Sequence, residues 1–221
     1  MKAFIKKHEY NYIRNRLNDL KNAYKSCVDI NIIEATKAYI KEEIFNIFTN
    51  LSKEEKGLLD IREIDDHLHI DIQINKYLDQ LNKYVYGMPN ITTGQIKRLF
   101  KKEKKLKLPS QDILSEKKVY LGWVDKSTRK LFVAYNMNGN LLGMKCRIIN
   151  HASSNSRRCV LCNHIDEGNE VAFVSPICKT DNGNYRSIGF DICLDSKICN
   201  ERIASTEKLE KILKDVNNIK L

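Results

Sequence analysis

Only three prolines and nine glycines punctuate this chain of 221 residues, which leaves little material for elaborate active-site loops. Long apolar runs are missing as well. No stretch approaches the roughly 18–20 apolar residues needed to span a bilayer. The opening "MKAFIKKHEYNYIRNR" is interrupted at once by Lys6, Lys7, His8 and Glu9, so it does not read as a secretory leader. The expected compartment is the cytoplasm. Catalytic motifs are absent too: no phosphate-binding loop, no dinucleotide Gly pattern, no Gly-x-Ser-x-Gly elbow, no His-Glu-x-x-His helix, and no His-x-Glu with Pro-Cys-x-x-Cys. The pair His67 and His69 has no clear carboxylate-and-histidine set around it, and two positions two apart on a helix point to different faces. The expectation is a protein that is not an enzyme.

What is present is charge and cysteine, both unevenly placed. The hydrophobic fraction is 42% and the charged fraction 30%, a balance that fits a globular chain and not a disordered one. Residues 1–84 hold 14 Lys/Arg against 14 Asp/Glu, and residues 85–221 hold 24 against 14, so the whole net charge of +10 lies in the second part. Such a field attracts an acidic partner: RNA, a ribosome surface or an acidic protein. Within it, seven Lys/Arg crowd between Lys97 and Lys107. This run reads either as a solvated face or as an electrostatic landing strip.

From His8 to Asn50 apolar residues recur at three- and four-residue steps. Tyr10, Ile13, Leu17, Leu20 and Tyr24 form one stripe, and Ile33, Ile40, Ile44 and Ile47 form another, broken by Lys37. Amphipathic helices are expected, with faces buried against each other. Ser52 with Glu55 predicts a capping box. Ile70, Ile74, Tyr77, Leu78 and Leu81 predict a further helix within roughly Asp66–Tyr86, stopped by "GMPN". A bundle of about four helices over 1–86 follows.

Over 87–221 a cap at Thr92 or Thr93 opens a helix that gives way to a bridging segment ended by Pro109. The period then changes to two. "KKVYLGWVD", "KLFVAYNM", "LLGMKCRII", "EVAFVSPI" and "NYRSIGFDI" read as strands. Asn138-Gly139 marks a hairpin, and a last helix is expected at roughly Thr206–Val216. The fold class is α+β: a helical bundle followed by a mixed antiparallel β/α domain.

Seven cysteines stand at 27, 146, 159, 162, 178, 193 and 199. An odd count without an export signal favours metal ligation over structural bridges. Cys159 and Cys162 give Cys-x2-Cys, which suits a zinc knuckle. Cys193 and Cys199 give Cys-x5-Cys, which fits one ligand in a turn and one in the first turn of a short helix. Knuckle, hairpin and helix in that order make a treble clef. Four thiolates hold Zn²⁺ tetrahedrally with no vacancy for substrate, so one structural zinc is expected. His164 in place of a cysteine is a geometric alternative. His164 and Cys178 are read as neighbours of the site, and Cys27 and Cys146 as core thiols. Around the finger, Arg157, Arg158, Tyr185, Arg186, Phe190 and Lys197 are basic or aromatic candidates for a partner-binding surface.

"HEYNYIRNRLNDLKNAYKS", "RLFKKEKKLKLP", "LGW", "CVLCN" and "DICLDSKICN", in this order and separation, resemble the FusB-type fusidic acid resistance proteins, which bind elongation factor G. Within them the chain looks most like the FusC-type staphylococcal members. The resemblance implies a helical bundle, a four-cysteine treble clef with metal roles at Cys159, Cys162, Cys193 and Cys199, and binding of elongation factor G chiefly through the zinc-bearing domain. It also implies release of the factor from ribosomes stalled by fusidic acid, which is target protection without chemical change to the drug. The ribosome is then met indirectly through the factor. A monomer is expected, without membrane or sequence-specific DNA among its partners. A zinc-finger RNA- or ribosome-binding protein with no direct role on the factor is the rival reading.

Overall fold

The computed structural model describes residues 1–65, 68–149, 156–166, 170–178 and 188–219. The chain forms two compact units, Met1–Tyr86 and Gly87–Leu221.

In the first unit, α1 (Lys7–Ser26), α2 (Ile30–Asn46), α3 (Lys53–Leu59) and α4 (Ile70–Asn82) share one apolar core. The expected stripes bury their faces: Ile13, Leu17 and Leu20 of α1, Ile40 and Ile44 of α2, and Ile74 and Leu81 of α4 are all but inaccessible. Each such side chain stabilises by roughly 1.5–3 kcal/mol when fully buried. Three buried tyrosines satisfy their hydroxyls on backbone carbonyls: Tyr10 donates to Leu78, Tyr24 to Ile64 and Tyr77 to Leu59. The capping box forms at Ser52 and Glu55.

Two features of this unit depart from the sequence reading. The segment after α4 is not helical to its end. Val85–Tyr86 is a short strand, β2, pairing in parallel with β1 (Ile5–Lys6), so the two ends of the unit are tied together. Strands of two residues are too short to show a period. His69 is likewise not within a helix, since it precedes α4 with φ −117°, and His67 lies outside the described residues.

The second unit opens with α5 (Thr93–Leu99), capped by Thr92 with Gln95, and α6 (Gln111–Ser115). Its five-stranded antiparallel sheet has the order β3-β4-β5-β8-β9. The strands are β3 (Leu121–Asp125), β4 (Lys130–Met137), β5 (Asn140–Ile149), β8 (Val171–Pro176) and β9 (Phe190–Cys193). A small hairpin, β6 (Arg157–Arg158) with β7 (Ile165–Asp166), lies between β5 and β8 in sequence. α7 (Ser196–Arg202) and α8 (Glu207–Asn217) follow the sheet.

Asn138 and Gly139 both take positive φ, 51° and 88°, as the β4–β5 hairpin requires. Strand β4 is covered on both faces, which is why Leu131–Ala134 are buried consecutively. Leu131 and Val133 join one cluster with the cysteine knuckle, α7 and α8. Phe132 and Ala134 join the other, with α5, Phe100 and Trp123. Strand β3 starts later than "KKVYLGWVD" suggests. The amides of Val119 and Tyr120 donate to Asn200 Oδ1 on α7 instead of a neighbouring strand.

Candidate metal centre

The β6–β7 hairpin carries the first cysteine pair in its turn. The Cys159 amide donates to the His164 carbonyl at 2.8 Å, and the Asn163 amide donates to the Cys159 carbonyl at 2.9 Å. Asn163 sits at φ 60°, a conformation asparagine tolerates well, and this closes the knuckle. The Val160 amide donates to Asp191, tying the knuckle to β9. Strand β9 ends on Cys193. The Asp195 side chain then accepts from the amides of Lys197 and Ile198, starting α7 so that Cys199 falls at the end of its first turn.

These local preferences bring four sulfurs together from positions 40 residues apart. Cys159 Sγ lies 3.9 Å from Cys199 Sγ, Cys162 Sγ lies 3.6 Å from Cys193 Sγ, and all four are within 4.8 Å of one another. Tetrahedral zinc with bonds of about 2.3 Å sets sulfur–sulfur edges of about 3.8 Å. The quartet has that size. Cys159, Cys193 and Cys199 are buried and Cys162 is half-buried.

Two further observations test the fit. Hydrogen bonds from the Cys162, Cys193 and Cys199 thiols hold the Cys159 thiol far below its ordinary range, while the adjoining Cys159 sulfur drives Cys199 far above it. Four sulfurs this close ionise together only around a cation. In addition, the buried Tyr120 hydroxyl meets no oxygen or nitrogen partner among the described residues, and the Cys199 sulfur adjoins it. Burial, and then the neighbouring Cys199 sulfur, push its ionisation well above the ordinary phenol range, so it remains an O–H donor. A thiolate at Cys199 supplies the acceptor it lacks. The donor set fits one structural zinc ion.

Residues 4–89 match the family model "Elongation factor G-binding protein, N-terminal", and residues 95–218 match "FBP C-terminal treble-clef zinc-finger". The chain belongs to the elongation factor G-binding protein family. A solved structure described as "Structure of the fusidic acid resistance protein FusC" is similar over 97% of this chain and 98% of its own, with a TM-score of 0.79 and 22% sequence identity. At that identity the likeness establishes the fold. No curated protein gives a significant sequence match. For a member of the elongation factor G-binding family the treble clef is thus a shared domain, and the zinc site is its structural centre.

His164 stands outside the sulfur quartet, its Nε2 3.3 Å from Glu170 Oε2. Cys146 is fully buried, and burial pushes its thiol up to about 12. Cys178 is half-buried, its thiol 3.9 Å from the Pro176 carbonyl. Cys27 is half-buried at the end of α1 and only partly a core thiol. Arg157 is half-buried and pairs with Asp191 at 2.8 Å. Arg158 is exposed on the same hairpin. Lys197 is exposed and pairs with Glu116 at 2.9 Å. Phe190 is half-buried against the core. Tyr185 and Arg186 lie outside the described residues.

Sequence reasoning missed Tyr120 and Asn200. Asn200 accepts from two β3-side amides and donates to the Tyr120 and Ser196 carbonyls, fastening α7 to the strand that carries Tyr120. Nothing in the local sequence signals a pairing across 80 positions.

Proposed function

We propose that this protein binds elongation factor G and promotes its release from ribosomes stalled by fusidic acid, giving resistance by target protection. The observation that carries the reading is the presence of both family domains, in order, over residues 4–89 and 95–218. The full-length likeness in fold to a fusidic acid resistance protein supports it. The protein acts by binding and leaves the drug intact, in the cytoplasm, where it meets the ribosome through the factor and works as a monomer. Cys159, Cys162, Cys193 and Cys199 ligate the zinc and hold the finger in shape. Arg158, Phe190 and Lys197 belong to the factor-facing surface, together with Tyr185 and Arg186. Arg157 supports it from behind through Asp191.

Binding shifts a stalled complex toward release only if the bound state of the factor is incompatible with tight ribosome attachment. The test is titration of purified protein against elongation factor G, with factor release from drug-stalled ribosomes measured in parallel. Release should scale with occupancy of the factor, and fusidic acid should keep its mass. Release by a variant that no longer binds the factor, or a mass change in the drug, defeats the reading. Arg158→Glu should weaken factor binding without loss of zinc, and Cys193→Ser should abolish both.

A further inference from the structure

The run from Lys97 to Lys107 is built differently from a solvated tail. Its inward positions are anchors. Ile96 is fully buried, and Phe100 packs edge-on against Trp123 and Phe132 at 5.6 and 5.2 Å. The Glu103 carboxylate reaches inward to Lys130 at 2.8 Å and Lys145 at 2.9 Å. Leu106 packs on the same cluster, and the Lys107 carbonyl accepts from the Trp123 indole at 2.8 Å. Between these anchors Lys97, Arg98, Lys101, Lys102, Lys104 and Lys105 are all exposed.

The one acidic residue of the run is therefore turned away from the surface and neutralised twice over. The two lysines on Glu103 hold its carboxyl below the ordinary range, so it stays charged and the anchor stays closed at neutral pH. None of the six outward cations has a carboxylate partner among the described residues. Lys107 leans 3.5 Å from Asp125, whose turn also presents the exposed Lys126 and Arg129. The cationic ridge thus continues past its own segment.

We infer that this ridge binds the phosphodiester backbone of folded RNA, without sequence preference. The composition separates phosphate from protein. Lysine is depleted at the centres of protein–protein interfaces, where aromatics and arginine anchor the contact. The outward positions here are five lysines and one arginine, and the single aromatic of the segment, Phe100, faces the core. Base stacking is excluded for the same reason, since Phe100 and Trp123 are buried. Unpaired lysines on a fixed ridge suit phosphates, which neutralise them and release condensed counterions. The choice of RNA over DNA rests on the proposed function, which brings the protein to ribosomes on elongation factor G; the ridge is then a second contact, made directly.

The probe is a fluorescent RNA duplex of about 20 base pairs, with a DNA duplex of the same sequence and polyglutamate as competitors, titrated over a salt series. Engagement of six phosphates predicts a slope of log K against log salt of roughly −4 to −5. Replacing Lys101, Lys102, Lys104 and Lys105 by glutamine, which leaves every anchor in place, should make the slope shallower by about 3. Polyglutamate should displace the RNA poorly, and DNA should bind no tighter. Equal displacement by polyglutamate, tighter DNA binding, or an unchanged slope in the variant overturns the inference. So does a variant that keeps RNA binding but loses elongation factor G, which would assign the ridge to the factor. Factor binding by the wild-type protein after nuclease treatment is measured separately, so the proposed function stands or falls on its own result.

Discussion

Two side chains near the zinc site show how much a single residue controls. The Tyr120 hydroxyl is buried beside Cys199, and among the described residues that sulfur is the acceptor within its reach. Tyr120→Phe should keep the fold yet release zinc to a competing chelator faster, with metal affinity lower by about 10- to 100-fold, the usual scale of outer-shell partners. Unchanged affinity in the metal competition would remove its role. Asp125 acts on the turn between β3 and β4. Its carboxyl is held well below the ordinary range by hydrogen bonds from the Ser127 and then the Thr128 hydroxyl, with the Ser127 amide and Lys107 adding to them. A depressed carboxyl contributes stability that is present above its unfolded value, here 3.8, and is lost as pH falls toward the folded one. Asp125→Ala should therefore lower the melting midpoint of the second unit at pH 7, and Asp125→Asn, which keeps an acceptor for Ser127 and Thr128 but not the charge, should lower it nearly as far. Wild-type stability in Asp125→Asn would show that charge is not its source.

At the level of elements, one asparagine fastens the treble clef's helix α7 to the start of β3. Asn200 substitutes for a strand partner at Val119 and Tyr120, and Ser196 donates to the Gly122 carbonyl at 2.6 Å beside it. Asn200→Ala strands two buried amides, each costing about 1–3 kcal/mol, so a loss of roughly 2–6 kcal/mol is expected. Urea unfolding followed by Trp123 fluorescence measures it, since Trp123 is the single tryptophan of the chain. Asn200→Asp keeps the acceptor oxygen and loses the donor, so it should fall between the two.

For the whole molecule, two units with separate apolar cores predict separable responses to metal loss. Chelation or acidification removes zinc because the thiolates must stay deprotonated to ligate. The second unit should then lose its native Trp123 emission, while most of the far-ultraviolet helix signal, carried by α1, α2 and α4, persists. Cooperative loss of both signals would show that the first unit leans on the second. The charge split follows the same division. All +10 resides in Gly87–Leu221, and the first unit balances to zero.

Much of this protein was legible in its sequence because its governing signals are local. The stripe from Tyr10 to Tyr24 fixes one face of α1, Ser52 with Glu55 starts α3, and Asn138-Gly139 turns β4 into β5, since each depends on neighbours within about four positions. Cysteine spacing is equally local: Cys-x2-Cys and Cys-x5-Cys state the geometry of a knuckle and a helix start before any fold is known. What only the tertiary structure decided is long-range and polar. The parallel pairing of Ile5 with Val85, the clamp of Asn200 on Val119 and Tyr120, and the buried hydroxyl of Tyr120 beside Cys199 join residues about 80 positions apart through groups that leave no periodic trace. The same holds for Glu103. In the sequence it is one acid diluting a basic run; in the fold it turns inward to two lysines on β4 and β5, and the cations on either side are left to face the solvent unopposed.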